Sequence, residues 1–166
     1  DAGLMAELRK LGAKAGVSFF ATLFSGFAAL LHRLSGADDI VIGVPSSGQS
    51  ASGMTGLVGH CVNLLPVRTA VDGGMAFDQF VRQSGTTLLD AFDHQTLTYG
   101  SLLKKLPLRR DPSRMPLVSV MFNVDQALDA NTVGFPELRA EFASNPRSYE
   151  NFELFMVDAE GRKEPV

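Results

Sequence analysis

Histidines, one cysteine and a few carboxamides are the side chains here with chemistry to offer, and their spacing decides which chemistry is open. His32, His60 and His94 are dispersed, with no Cys or carboxylate beside them at ligand spacing, so no metal site is expected. Gly48, Gly53, Gly56 and Gly59 follow a β-branched run as a phosphate cradle would. No Gly-Lys-Ser/Thr completes it, however, and the spacing fits neither nucleotide fingerprint. No Gly-x-Ser-x-Gly elbow occurs, which removes the simplest hydrolase reading. Cys61, the only cysteine, excludes an internal disulfide and suits a reducing, cytoplasmic setting as a lone buried thiol. Arg110, Asp111, Ser113 and Arg114 form the densest polar group. A short acid or hydroxyl there caps a turn while the arginines bind backbone or carboxylate, a structural assignment in preference to a catalytic one. Arg68 closes an apolar run and is expected to pair locally. His94 follows Phe92 at a helix end, where an imidazole can bond the last carbonyls.

The frame for these residues alternates helix and strand. Leu4, Leu8, Leu11 and Ala15 recur at helical spacing, and Gly16 ends that helix. Ser18 caps a second helix over Phe19 to Leu34, apolar nearly all round and therefore central, with Ser35-Gly36 as its stop. Ile40 to Val44 reads as a strand buried on both faces, and Val62 to Thr69 as a second, with Pro66 marking an edge or bulge. Phe77, Phe80, Val81, Leu88, Leu89 and Phe92 form an amphipathic helix, and a short helix follows over Tyr99 to Leu106. Leu117 to Val124 and Phe152 to Val157 are further strands, with a weaker one near Leu138 to Phe142. On the Leu117 strand, Val118, Val120, Phe122 and Val124 share an apolar face, leaving Leu117, Ser119, Met121 and Asn123 on the other. The expected fold is α/β, a two-layer sandwich in which helices cover a mixed sheet. Pro45 to Gly56 and Asp125 to Pro136 are expected loops, long enough to be functional or mobile.

Composition narrows the partners. A chain of 166 residues, 45% hydrophobic and 20% charged, is a single globular domain's worth. A net charge of −3 gives no general attraction for nucleic acid or an anionic membrane. The uncharged stretch from Gly16 to Leu31 is shorter than the ~20 apolar residues a membrane span needs.

Motif order carries the reading further. Ile42-Gly43-Val44-Pro45-Ser46-Ser47-Gly48-Gln49 resembles the Ile-Gly-x-Pro-x-x-Gly-Arg strand and turn of peptide-synthetase condensation domains. Val62-Asn63-Leu64-Leu65-Pro66-Val67-Arg68 resembles the family's Val-Asn-Thr-x-x-x-Arg, and His94-Gln95-Thr96-Leu97-Thr98-Tyr99 its His-Gln-x-x-Pro-Phe. Arg110 to Leu117, then Val120-Met121-Phe122-Asn123, is similar to its Arg-Asp-x-Ser-Arg-x-Pro-Leu block and following strand. The likeness runs from about Leu4 to Gly161, in family order. The Gly-His-Cys-Val-Asn variant is similar to condensation domains of hybrid polyketide–peptide systems.

The resemblance implies the C-terminal half of a chloramphenicol-acetyltransferase-like fold, with residues 1–166 as one lobe. The family joins a carrier-tethered acyl donor to the amine of a carrier-tethered aminoacyl acceptor. Substrates ride on phosphopantetheine of donor and acceptor carrier proteins, and no cofactor is held directly. Its His-His-x-x-x-Asp-Gly motif belongs to the N-terminal lobe, and this chain has no adjacent histidines. Amide formation needs the amine placed and its proton removed, so no turnover is expected without that lobe. By resemblance, Asn123 is a supporting site residue facing the tunnel, either as an oxyanion-type donor or as a satisfied buried amide. Ser46, Ser47, Gln49, His60 and Asn63 would lie at or near the tunnel. Ser46 and Ser47 read as plain turn residues in preference to substrate contacts, and His60 as a wall residue in preference to a base. Gln49 stands where relatives carry an arginine that ion-pairs across the lobes, and offers only a neutral hydrogen bond. Expected partners are the N-terminal lobe, the carrier proteins and, through exposed lobe surface and strand edges, a second copy of this chain. Two alternatives stay open: a non-catalytic carrier-docking or interaction module of the same fold, or half of another CoA- or carrier-dependent acyltransferase.

Overall fold

The computed structural model describes residues 2–51, 53–54, 56–109, 111–126 and 152–158. Helix α1 spans Ala2–Ala15 and α2 spans Phe19–Ser35. The turn between them is a Schellman closure. Gly16 takes φ +75°, the Gly16 N–H donates to Ala13 O at 3.2 Å, and the Val17 N–H donates to Gly12 O at 3.0 Å. Ser18 then caps α2 by accepting from the Ala21 N–H at 3.1 Å, and Gly36 ends it in the left-handed region. Among the described residues no single helix is long and apolar enough to cross a membrane.

Four strands follow the order β2-β1-β3-β4. β1 (Asp39–Ser47) pairs antiparallel with β2 (Val62–Ala70) and parallel with β3 (Val120–Gln126), which pairs parallel with β4 (Phe152–Asp158). Between the strands lie a one-turn α3 (Gly48–Ala51), α4 (Phe77–Asp93) and α5 (Tyr99–Lys105). The outcome is the expected α/β sandwich with helices over a mixed sheet.

The core lies between the sheet and α2 and α4. Ile42 and Val44 of β1, Leu65 and Val67 of β2, and Phe122 of β3 face Phe24, Phe27, Phe80 and Leu88. Phe122 sits among three α2 rings, at 5.2 Å from Phe20, 5.7 Å from Phe24 and 5.4 Å from Phe27. This ring cluster fixes the face of β3, sending Phe122 inward and leaving Met121 and Asn123 half-buried on the opposite side.

Several expected boundaries move. Pro45, Ser46 and Ser47 are strand and not loop, paired with Leu64, Asn63 and Val62. A shared ladder outweighed their turn-like residue types. β3 begins at Val120 and not at Leu117, because Leu117 takes φ +68° and breaks the extended run. The alternation therefore does not reach back to Val118. A Cβ on Gly43 would come within 2.7 Å of Val118 Cγ1 and 3.0 Å of Leu64 Cδ1, so Val118 lies on the Leu64 side of the sheet, across from the core. The strand expected near residues 138–142, most of the 125–136 loop, and Arg110 lie outside the described residues.

Candidate functional site

Parallel pairing brings the C-terminal ends of β1 and β3 to the same end of the sheet, where open α/β sheets carry their ligand crevices. Ser46 and Ser47 end β1, and Asn123 is the middle residue of β3. Ser46 continues the core-facing series Ile42, Val44, Ser46. It is only 6% exposed, and its hydroxyl has no hydrogen-bond partner among the described residues. Ser47 faces solvent and donates to Gln49 Oε1 at 3.2 Å, while Gln49 Nε2 donates to Leu57 O at 2.7 Å. Gln49 thus staples the turn after β1, using its carboxamide within its own loop.

Gly48 forms the neck of this β1–β2 connection. Its N–H donates to Cys61 O at 2.7 Å, and a Cβ there would meet the same oxygen at 2.5 Å. Only glycine permits that approach, and it sets His60 and Cys61 at the rim of a groove of about 560 Å³. The groove runs between the neck and the segment joining α4 to α5, with Asn63, Gln95, Thr98 and Tyr99 along it. His60 is exposed and Cys61 is a half-buried free thiol.

Asn63 holds the far wall. Its Nδ2 donates to Gln95 O at 2.9 Å and to Leu97 O at 3.1 Å, while its Oδ1 accepts the Tyr99 N–H at 3.0 Å. Both amide hydrogens are engaged with backbone, so Asn63 shapes the groove and has no hydrogen left for a substrate. Tyr99 in turn donates its hydroxyl to Pro116 O, linking the groove to the approach of β3. Burial pushes the Tyr99 phenol up from its ordinary value, with a hydrogen bond to the Val118 backbone acting the other way.

The remaining polar residues stand elsewhere. Arg68 is at the opposite end of the β1–β2 pair, where its Nε and Nη2 grip Asp39 at 2.9 and 2.7 Å. This fork lowers the Asp39 carboxyl chiefly through the hydrogen bond; desolvation opposes the shift, and the guanidinium charge adds to it. His94 Nδ1 lies 2.8 Å from Asp90 O, at the end of α4. Asp111 accepts from the Ser113 N–H at 2.9 Å and hydroxyl at 2.6 Å, and meets Arg114 Nε at 2.9 Å. Those hydrogen bonds hold the Asp111 carboxyl below its usual range. Among the described residues no group of His, Cys, Asp and Glu is placed to hold a metal ion.

Ser46, Ser47, Gln49, His60 and Asn63 therefore gather around one strand connection, Asn123 stands at the same end of the sheet, and the charged residues lie apart. Tyr99 escaped the residue reading because its partner, Pro116, is 17 residues on and offers only a backbone oxygen.

The sequence model of the family described as "Condensation domain" matches residues 1–161. Surfactin synthase subunit 2 of Bacillus subtilis (strain 168) is 33% identical over all of this chain, which covers 5% of that protein. Tyrocidine synthase 2 of Brevibacillus parabrevis is 37% identical over 74% of the chain and 3% of its own length. The fold is shared with the condensation domain of the monacolin K polyketide synthase MokA (TM-score 0.72, 21% identity, 80% of this chain and 31% of that one). It is shared also with the X-domain of teicoplanin biosynthesis in its complex with OxyB (TM-score 0.73, 23% identity, 93% and 33%). These structural neighbours carry the chloramphenicol-acetyltransferase-like fold, and this chain spans a small part of the synthetases it resembles. On a match that covers nearly every residue, this chain belongs to the condensation-domain family.

Proposed function

We propose that this chain is the C-terminal lobe of a condensation domain. Joined to a histidine-bearing N-terminal lobe, it would help form an amide between a carrier-tethered acyl donor and the amine of a carrier-tethered aminoacyl acceptor. The observation that carries the reading is the family match over residues 1–161 in a chain with no adjacent histidine pair. The proton of the attacking amine is then handled by the other lobe, and this lobe supplies one wall and its polar groups. Substrates arrive on phosphopantetheine arms of the carriers, and the chain itself holds no cofactor. Asn123 is the supporting group: a carboxamide midway along β3, level with the C-terminal part of β1, can donate to the developing oxyanion. His60 and Ser46 line or back the approach.

Replacing Asn123 with Ala in the whole domain should lower the condensation rate by about 10²–10³-fold, the usual loss for one such donor. The melting temperature should hardly move if the carboxamide serves the reaction and not the fold. An unchanged rate, or a large loss of stability, would mean that Asn123 is a structural amide. On its own the chain should also self-associate. Among the described residues β2 is a sheet edge, and Val62 at its start and Val58 just before it are 56% and 97% exposed. Light scattering across a concentration series is expected to show a dimer or larger species, and a strict monomer throughout would contradict this.

A further inference from the structure

We propose that the Tyr99 hydroxyl is a positioning group: it holds a strained turn at Leu117 and thereby sets where β3, and Asn123 on it, stands. Leu117 is the single non-glycine residue with positive φ among the described residues, at 68°. A branched aliphatic side chain is disfavoured there because its Cβ crowds the following carbonyl. The Val118 N–H donates back to Pro116 O at 2.8 Å, closing a three-residue γ-turn of the rare, positive-φ kind. Such a turn persists only where its surroundings over-determine it.

Tyr99 supplies the determination. Its hydroxyl donates to Pro116 O, the same oxygen that closes the turn. Its backbone N–H is held by Asn63 Oδ1 at 3.0 Å, which anchors the ring's own helix to β2. Beyond the turn, Val118 packs where a Gly43 side chain would otherwise stand, and two residues later β3 enters register with Ile42↔Val120 and Gly43↔Met121. One continuous path therefore runs from Asn63 through Tyr99, Pro116 and Val118 to the strand that carries Asn123. The motif this segment resembles has phenylalanine where the chain has Tyr99, so the clamp depends on one oxygen atom. The neighbouring Thr98 caps α5, accepting from the Ser101 N–H at 3.2 Å, which fixes the start of the helix that presents the ring.

The clamp is read on the chain itself and the consequence for Asn123 on the whole domain; only the second rests on the condensation reading. In the full chain carrying Tyr99→Phe, amide hydrogen exchange followed by NMR should quicken from Val118 to Asn123 by roughly fivefold or more, the equilibrium worth of one hydrogen bond. Amides of Phe24 and Val81 in the helical layer should keep their rates. Leu117→Gly removes the steric cost of the turn, so in that background Tyr99→Phe should have a much smaller effect, a coupling only a shared strained element produces. Unaltered exchange at Val118 to Asn123, an equal rise in α2 and α4, or the same effect in the glycine background would overturn the clamp. In the whole domain Tyr99→Phe should lower kcat while leaving KM for the acceptor carrier unchanged. Faster exchange with an unchanged kcat would overturn the link to Asn123 while the clamp stands.

Discussion

Arg68 shows how a single residue's partner decides what it can do. Its forked grip on Asp39 lies on the solvent side of the strand pair and closes the end of the sheet away from the groove. Because the fork lowers the folded-state pKa of Asp39, its contribution to stability is present above the ordinary carboxylate value of 3.8 and is lost as pH falls through the lowered one. Arg68→Ala should therefore move the Asp39 titration, followed by NMR, back up towards 3.8 while leaving the fold intact. An unmoved titration would assign the shift to another neighbour. That Arg68 would take a structural partner was legible from its place at a strand end. That the partner would be Asp39 was not, because strand register brings together residues 29 apart. Asn63 teaches the same lesson in the other direction. Its motif was plain in the sequence, yet its role follows from three backbone groups 32 to 36 residues away.

At the scale of elements, periodicity and caps recovered α1, α2, α4, α5, β2 and β4 to within about two residues. Those elements carry their own signals, such as Ser18 and Gly36 around α2. The failures were where tertiary pairing overrode local preference. Pro45-Ser46-Ser47 looks like a turn but runs on as strand because β2 offers a complete partner ladder, and Leu117 looks like strand but is bent by a clamp. Close packing between elements was equally hidden. Gly85 of α4 lies so near the α1–α2 turn that a Cβ would reach Val17 Cγ1 at 2.5 Å and Val17 Cβ at 3.2 Å. Overpacking of this kind costs roughly 1–3 kcal/mol. It outweighs the helix-propensity gain of about 0.8–1 kcal/mol, so Gly85→Ala should lower Tm. Gly26, on an open face of α2 with nothing within 4 Å, is the control, and Gly26→Ala should raise it. Equal responses in thermal denaturation would mean that Val17 yields without cost.

At the scale of the whole molecule, Ser46, Ser47 and Asn63 stand at one end of the β1–β2 pair and the Arg68–Asp39 fork at the other. Fold class and family were legible in the sequence because short motifs occurred in a fixed order. The groove was not, since it arises where the Gly48 neck meets the α4–α5 segment, and no local pattern encodes that meeting. The proposed function divides the labour: this chain builds part of the channel and a histidine-bearing lobe moves the proton. Intact mass spectrometry of the acceptor carrier tests it most directly, with both loaded carriers incubated either with this chain alone or with a polypeptide joining it to the histidine-bearing lobe. Amide product is expected only in the second case. Robust product from the chain alone, or none from the joined polypeptide, would contradict it.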